Sequence, residues 1–161
     1  MENGRIMEIP SKIGRMEISR ERIIHFPRGL VGYPQARKFV LVQLKGNSTF
    51  LLLQSVDNHQ LGLFVVEPFG FVPDYQVQVG NTEEKILRVR TIDELTILVS
   101  VSIPPGKPEQ TALNLAGPIF VNTREKIGLQ IPQLLMGKPG QVYVRDIYAG
   151  GKEGSEEIDA G

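Results

Sequence analysis

The sequence predicts a mainly β protein: a small antiparallel β-barrel-like domain with one short helix. Apolar and polar residues alternate over short runs along much of the 161-residue chain, the period of a strand with one buried face. The 17 Gly and 11 Pro break those runs with turn signals and leave little room for helices. No heptad run and no internal repeat stands out, which argues against a bundle or a solenoid. Many short strands joined by tight turns pack as a small barrel or sandwich.

Each element has its own signal. Met7-Glu8-Ile9 and Arg15-Met16-Glu17-Ile18 are short alternating runs, and a single helical turn fits Ser19 to Arg22. Ile23-Ile24-His25-Phe26 follows as a brief strand. Phe39 to Leu44 and Phe50 to Val56 flank Gly46-Asn47-Ser48, a hairpin loop by composition. The second run is apolar on both faces, as a central strand covered on both sides would be. Asp57-Asn58-His59-Gln60 reads as a turn into Leu63-Phe64-Val65-Val66, which Pro68 ends. Tyr75 to Val79 alternates as a strand. Asn81 is placed to N-cap a helix from Thr82 to about Arg90, with Glu84 as its capping-box partner. In Leu95 to Ile103, the odd-numbered residues form an apolar face, while Thr96, Leu98, Ser100 and Ser102 form a mostly solvated one. Pro104-Pro105-Gly106 stops that strand. Ile119 to Asn122, Gly128 to Ile131 and Gln141 to Ile147 complete the set.

Residues 1–148 are expected to form one domain. From Ala149 the chain has four acids against one Lys and a single large apolar residue, Ile158, which reads as a flexible acidic tail over 149–161.

Composition narrows the function. Eighteen Lys and Arg balance eighteen Asp and Glu, so the basic excess of a dedicated nucleic-acid binder is missing. The absence of Cys removes disulfides, thiolate nucleophiles and Cys-based metal sites. No apolar run reaches a membrane span and no signal-peptide core opens the chain, so a cytoplasmic location is expected and the Asn47-Ser48-Thr49 sequon is read as chance.

Catalytic candidates are few. His59 beside Asp57 could begin a metal or acid–base site, a small ligand-binding barrel or enzyme being the alternative reading. A metal needs three or four converging ligands, however, and the turn explains these residues without one. His25, between Ile24 and Phe26, fits a strand position. No Gly-x-Ser-x-Gly elbow occurs, and Gly29 and Gly32 lack the spacing of a phosphate loop; they suit a tight bend where backbone approaches backbone. No catalytic residue, metal or cofactor is assigned.

Phe64, Phe69, Phe71 and Tyr75 crowd into twelve residues broken by Pro68, Gly70 and Pro73. Phe64 belongs to the core; for Phe69 and Phe71, core and interface are both open. An exposed apolar patch here would be a protein contact site. Asp74, Glu83 and Glu84 would give Phe69, Phe71 and Tyr75 an acidic flank suited to a basic partner.

Five ordered blocks carry a family resemblance. They are Phe26-Pro27-Arg28-Gly29-Leu30-Val31-Gly32-Tyr33, Phe50 to Ser55, Phe64-Val65-Val66-Glu67-Pro68-Phe69, Asp74-Tyr75, and Thr111 to Ile119. Over Met7 to Ile131 the chain resembles the bacterial flagellar assembly factor FliW family, with Glu67 where Asn is common and Gly117 where Ala is more usual. Gly29, Gly32, Gln54, Asn114 and Pro118 lie in these blocks, each with a structural reading as bend, cap or core. The resemblance implies a β-barrel-like adaptor without enzymatic activity that binds newly made flagellin. It also implies that the adaptor, once free of flagellin, binds the translational repressor CsrA and relieves its block on flagellin synthesis. A monomer without direct nucleic-acid or membrane binding is expected. The segment after Ile131 aligns with nothing by eye.

Overall fold

The computed structural model describes residues 5–44, 46 and 49–147. Residues 149–161, the Asn47-Ser48 part of the predicted hairpin loop and the sequon that includes it lie outside the described residues.

Strands β1 (Ile6–Ser11) and β2 (Gly14–Ser19) form a separate antiparallel hairpin. Seven further strands close a ring: β3 (Ile24–His25), β4 (Lys38–Gln43), β5 (Leu51–Ser55), β6 (Gly62–Val66), β7 (Thr96–Ser102), β8 (Ala112–Asn122) and β9 (Ile127–Gln130). Neighbours follow chain order from β3 to β8, and β9 returns to pair with both β8 and β3. Closure gives each strand of the ring a neighbour on both sides, although β3 covers only the start of β4. Every pairing is antiparallel except the last, where His25 meets Ile127 in a parallel bridge. β10 (Gln141–Tyr143) adds to the lower half of β8, at Ala112 to Asn114.

Alternation explains the core. Phe26, Phe39, Leu53, Val65, Leu98, Ile119 and Val121 fill the barrel interior. Phe26 and Phe39 meet edge to face with centroids 5.1 Å apart. The seam between β3 and β9 needs Gly128, since a Cβ there would lie 2.5 Å from the Phe26 ring. Outside the barrel, the β1–β2 hairpin lays Ile9 and Ile18 over Val40. β5 is therefore covered on both faces, as its sequence predicts, with Leu52, Leu53 and Gln54 all fully buried.

Three expectations about strands are corrected. The solvated face predicted for β7 does not exist at Leu98, which is fully buried inside the barrel, while Val99 and Val101 pack outside it against Tyr75 and Leu113. Both faces of β7 are covered because the chain after Pro68 folds back over the barrel. The register also shifts between Leu98 and Ser100, opposite the Leu115-to-Pro118 stretch of β8; Pro118, unable to donate, sits in this bulge. Second, Tyr75 to Val79 pairs with no strand: Gln133 occupies the backbone groups of Gln78 instead. Third, the predicted last strand stops at Tyr143, and residues 144–147 turn helical.

Helix α1 (Asn81–Leu87) starts one residue earlier than expected, with Gly80 as N-cap and no side-chain cap. It ends at Arg88, whose φ of 59° is left-handed. Buried Asn122 donates from Nδ2 to the Leu87 carbonyl (2.8 Å), satisfying one of the helix's terminal acceptors. The capping box lies elsewhere, between Thr91 and Glu94 in the 3₁₀ turn Ile92–Glu94. The Thr91 and Arg90 backbone N–H groups hold the Glu94 carboxyl below the usual carboxylate range.

Candidate functional site

The residues singled out in the sequence divide into those that shape loops and those that form a surface. Gly29 has φ of 64°, and a Cβ on it would lie 2.4 Å from the Tyr33 carbonyl oxygen, so backbone meets backbone here. Gly32 sits in the same bend with φ of 85° and open space around it. Gln54 is fully buried; its Oε1 accepts from the Lys12 N–H (2.9 Å) and its Nε2 faces the carbonyls of Ser55, His59 and Leu61 within 3.2 Å. One amide thus ties the hairpin tip to the barrel and holds the turn at 57–61. Asn114 donates to Ser100 and Ser102 Oγ, both at 3.0 Å, across the β7–β8 pair. The Pro118 carbonyl accepts from the Ile131 N–H at 3.1 Å. His59 and Asp57 are exposed in their turn. No group of three His, Cys, Asp or Glu able to hold a metal occurs among the described residues.

The surface forms where the Pro68-to-Val79 segment meets the loop at 131–140. Proline and glycine break the chain after β6 into the 3₁₀ turn Pro68–Gly70, so the aromatic side chains diverge. Phe69 stays 41 % exposed, with its ring 6.0 Å from that of Tyr75. Tyr75 turns inward; its hydroxyl donates to the Leu115 carbonyl (2.6 Å), and burial pushes its pKa up to about 12. Phe71 stacks on Phe50, 6.4 Å between centroids, and is half-buried with Phe64 against the outer cluster of Val99 and Leu113. Of the three rings, Phe69 is the exposed one, with Tyr75 packed against it and Phe71 turned toward Phe50.

The acidic residues are spread out. Asp74 is exposed, with Lys138 Nζ 3.8 Å away. Glu83 lies on α1 and reaches Arg28 (3.4 Å), while Glu84 is half-buried on the same helix. The structure brings Phe69, Asp74 and Tyr75 together; Glu83 and Glu84 belong to a helix that packs on β9.

The loop at 131–140 supplies residues that the sequence reading missed. Gln133 accepts from the Gln78 N–H (2.7 Å) and donates to the Gln78 carbonyl (2.9 Å), as a neighbouring strand would. Its own N–H reaches the Ala116 carbonyl in the bulge of β8 (2.8 Å). So anchored, the loop holds Leu134 and Met136 out, 90 % and 88 % exposed. Between this loop and Tyr75 lies a groove of about 440 Å³ lined by Val72, Leu115, Leu134, Met136 and Val142. A second groove of about 480 Å³ lies between Phe69, Ile92 and Leu95, and the two share Gln76 and Gln78. The available signal was the apolar triplet Leu134-Leu135-Met136 following Pro132, in a stretch with no strand alternation.

Fold and surface together define a closed, cysteine-free β-barrel that presents a grooved apolar face. The sequence profile of the FliW protein family matches residues 9–136, and the chain belongs to that family of flagellar assembly factors. It is 49 % identical over 138 residues to the flagellar assembly factor FliW of Nitratidesulfovibrio vulgaris strain Hildenborough, covering 86 % of this chain and 80 % of the relative. It is 40 % identical over 159 residues to that of Desulfovibrio desulfuricans, covering 98 % and 95 %. A crystal structure of the flagellar assembly factor FliW superposes with a TM-score of 0.79 at 26 % identity, covering 86 % of this chain and 96 % of that one. The D. desulfuricans match extends well past Ile131, so the later segment has a counterpart in a relative, contrary to expectation.

Proposed function

We propose that this protein binds flagellin in the cytoplasm and, when free of flagellin, binds and antagonises the translational repressor CsrA, coupling flagellin synthesis to export. Membership in a family of flagellar assembly factors supports the first half of this reading. The observation that carries it to a surface is the exposure of Leu134, Met136 and Phe69 around two adjoining grooves. Large apolar side chains held out by hydrogen-bonded backbone are the signature of a protein contact. Phe69 and Asp74 are the proposed contact residues from the aromatic segment, with Tyr75 behind them, while Phe71, Glu83 and Glu84 stand apart from this patch. Exchange between partners then follows their relative affinities and concentrations, with no chemistry required of the adaptor.

Calorimetry with purified flagellin and purified repressor tests the reading. Stable 1:1 binding of flagellin and displacement of the repressor by flagellin are the expected results. Binding of neither protein at micromolar concentration would overturn it.

A further inference from the structure

A second surface, on the opposite side of β4 from β5, has the form of an unfinished sheet. The Val56 N–H donates to the Lys38 carbonyl (2.9 Å), which fixes the phase of β4. Lys38, Val40 and Val42 therefore turn their N–H and C=O groups to β5, while Phe39, Leu41 and Gln43 turn theirs away. Phe39 finds Ile24 of β3, but β3 covers only Phe39 and Lys38. The chain just before it curls into the 3₁₀ turn Arg20–Arg22 and vacates the lane. Leu41 and Gln43 have no partner strand on that side among the described residues.

A second open edge borders the same space. The Arg20 N–H donates to the Arg5 carbonyl (2.6 Å), so Met16 and Ile18 pair inward with β1 while Glu17 and Ser19 face outward. Between the two edges runs a groove of about 440 Å³, lined by Met16, Ile18, Val40 and Val42 and ended by Arg22. Arg5 and Arg15 nearby are paired with Glu21 and Glu8. Arg22 and Glu17 have no ion pair among the described residues. Unused backbone donors and acceptors in register along an apolar groove select an extended chain, since only a strand offers matching groups at that spacing.

We propose that this groove takes an extended segment of a partner polypeptide by β-strand addition to Leu41 and Gln43. Alternate apolar side chains of the segment pack on Val42 and Met16, and an acidic side chain meets Arg22. The groove involves none of the residues around Phe69 and Leu134, so it stands or falls apart from the flagellin reading.

The test uses the full chain and the peptide acetyl-Glu-Val-Thr-Val-Thr-Val-amide, followed through amide resonances and hydrogen exchange. In the peptide-free protein, the Leu41 and Gln43 amides are expected to exchange faster than those of Val40 and Val42. Peptide is expected to slow them and to shift them together with Glu17 or Ser19. Gln43 is exposed at the end of β4 and its N–H points away from β5, so Gln43→Pro deletes one donor while keeping the ladder. Gln43→Pro should weaken binding about tenfold and Gln43→Ala should not, as the loss of one hydrogen bond requires. Backbone N-methylation of the peptide should abolish binding. Equal protection of all four amides in the peptide-free protein would overturn the proposal. So would unchanged binding by Gln43→Pro, or no response to millimolar peptide.

Discussion

Gln54 and Gln133 perform the same local task in opposite surroundings. Each is a side-chain amide that stands in for a strand by bonding main-chain groups of a distant segment. Gln54 does so fully buried, where water cannot replace a lost bond. Gln133 does so at the surface, where water can. The first makes the turn at 57–61 part of the barrel; the second attaches the 131–140 loop by bonds that can open at little cost. The apolar groove proposed for partners lies on the loop of the second kind, as expected where a surface must adjust to what it binds.

The largest effect should come from Gln54→Ala, which takes their side-chain partner from the Lys12 N–H and from the Ser55 and His59 carbonyls at a fully buried position. A loss of about 3 kcal/mol in urea unfolding is expected, and a loss below about 1 kcal/mol would break the contrast. Tyr75→Phe comes next, at about 1–2 kcal/mol near neutral pH, because the Leu115 carbonyl loses its donor. The same variant has a pH signature. In the parent protein the Tyr75 phenol ionises near 10.0 when unfolded but only near 12 when folded, so the unfolded state releases the proton first. Stability conferred by the neutral phenol is intact below pH 10 and drains away toward pH 12; Tyr75→Phe should lack that part of the alkaline decline. Gln133→Ala should cost under about 1 kcal/mol in global stability. It should nevertheless speed hydrogen exchange at Gln78, and unaltered exchange there would show that the loop is not held by this amide. Smallest in stability is Leu134→Ser, within about 0.5 kcal/mol of the parent, since the side chain is 90 % exposed. Its expected effect is on flagellin affinity alone, read by calorimetry.

The same contrast marks what could be read from residue order. The strands from β4 to β6 were legible because burial on both faces writes an unbroken apolar run, whereas Gln54 was named only through the family resemblance. Gly29 was legible as a bend. The faces of β7 were not, since the segment covering Val99 and Val101 comes from elsewhere in the chain and the bulge between Leu98 and Ser100 shifts the register. Tyr75 to Val79 does alternate, but alternation states which residues are buried and not what pairs with the backbone; a glutamine 55 residues later took that role. Phe69 and Phe71 stayed open between core and interface, because a stretch broken by Pro and Gly has no period to say which ring turns inward. Leu134 and Met136 passed unnoticed because a loop gives apolar residues no period.

The seam at His25 and Ile127 bears on the order in which the molecule assembles. It is a single parallel bridge between a two-residue strand and a segment about a hundred positions further on, and every other ring contact joins nearer neighbours. Closing so long a loop is costly until the strands between are in place, so the ring should be sealed last, after the rate-limiting barrier. Ile127→Ala would then accelerate unfolding and leave the refolding rate nearly unchanged, a result that stopped-flow denaturant jumps can read directly. A slowed refolding limb would place the seam in the nucleus instead. On the expected outcome, the lifetime of the folded barrel is governed by its shortest strand.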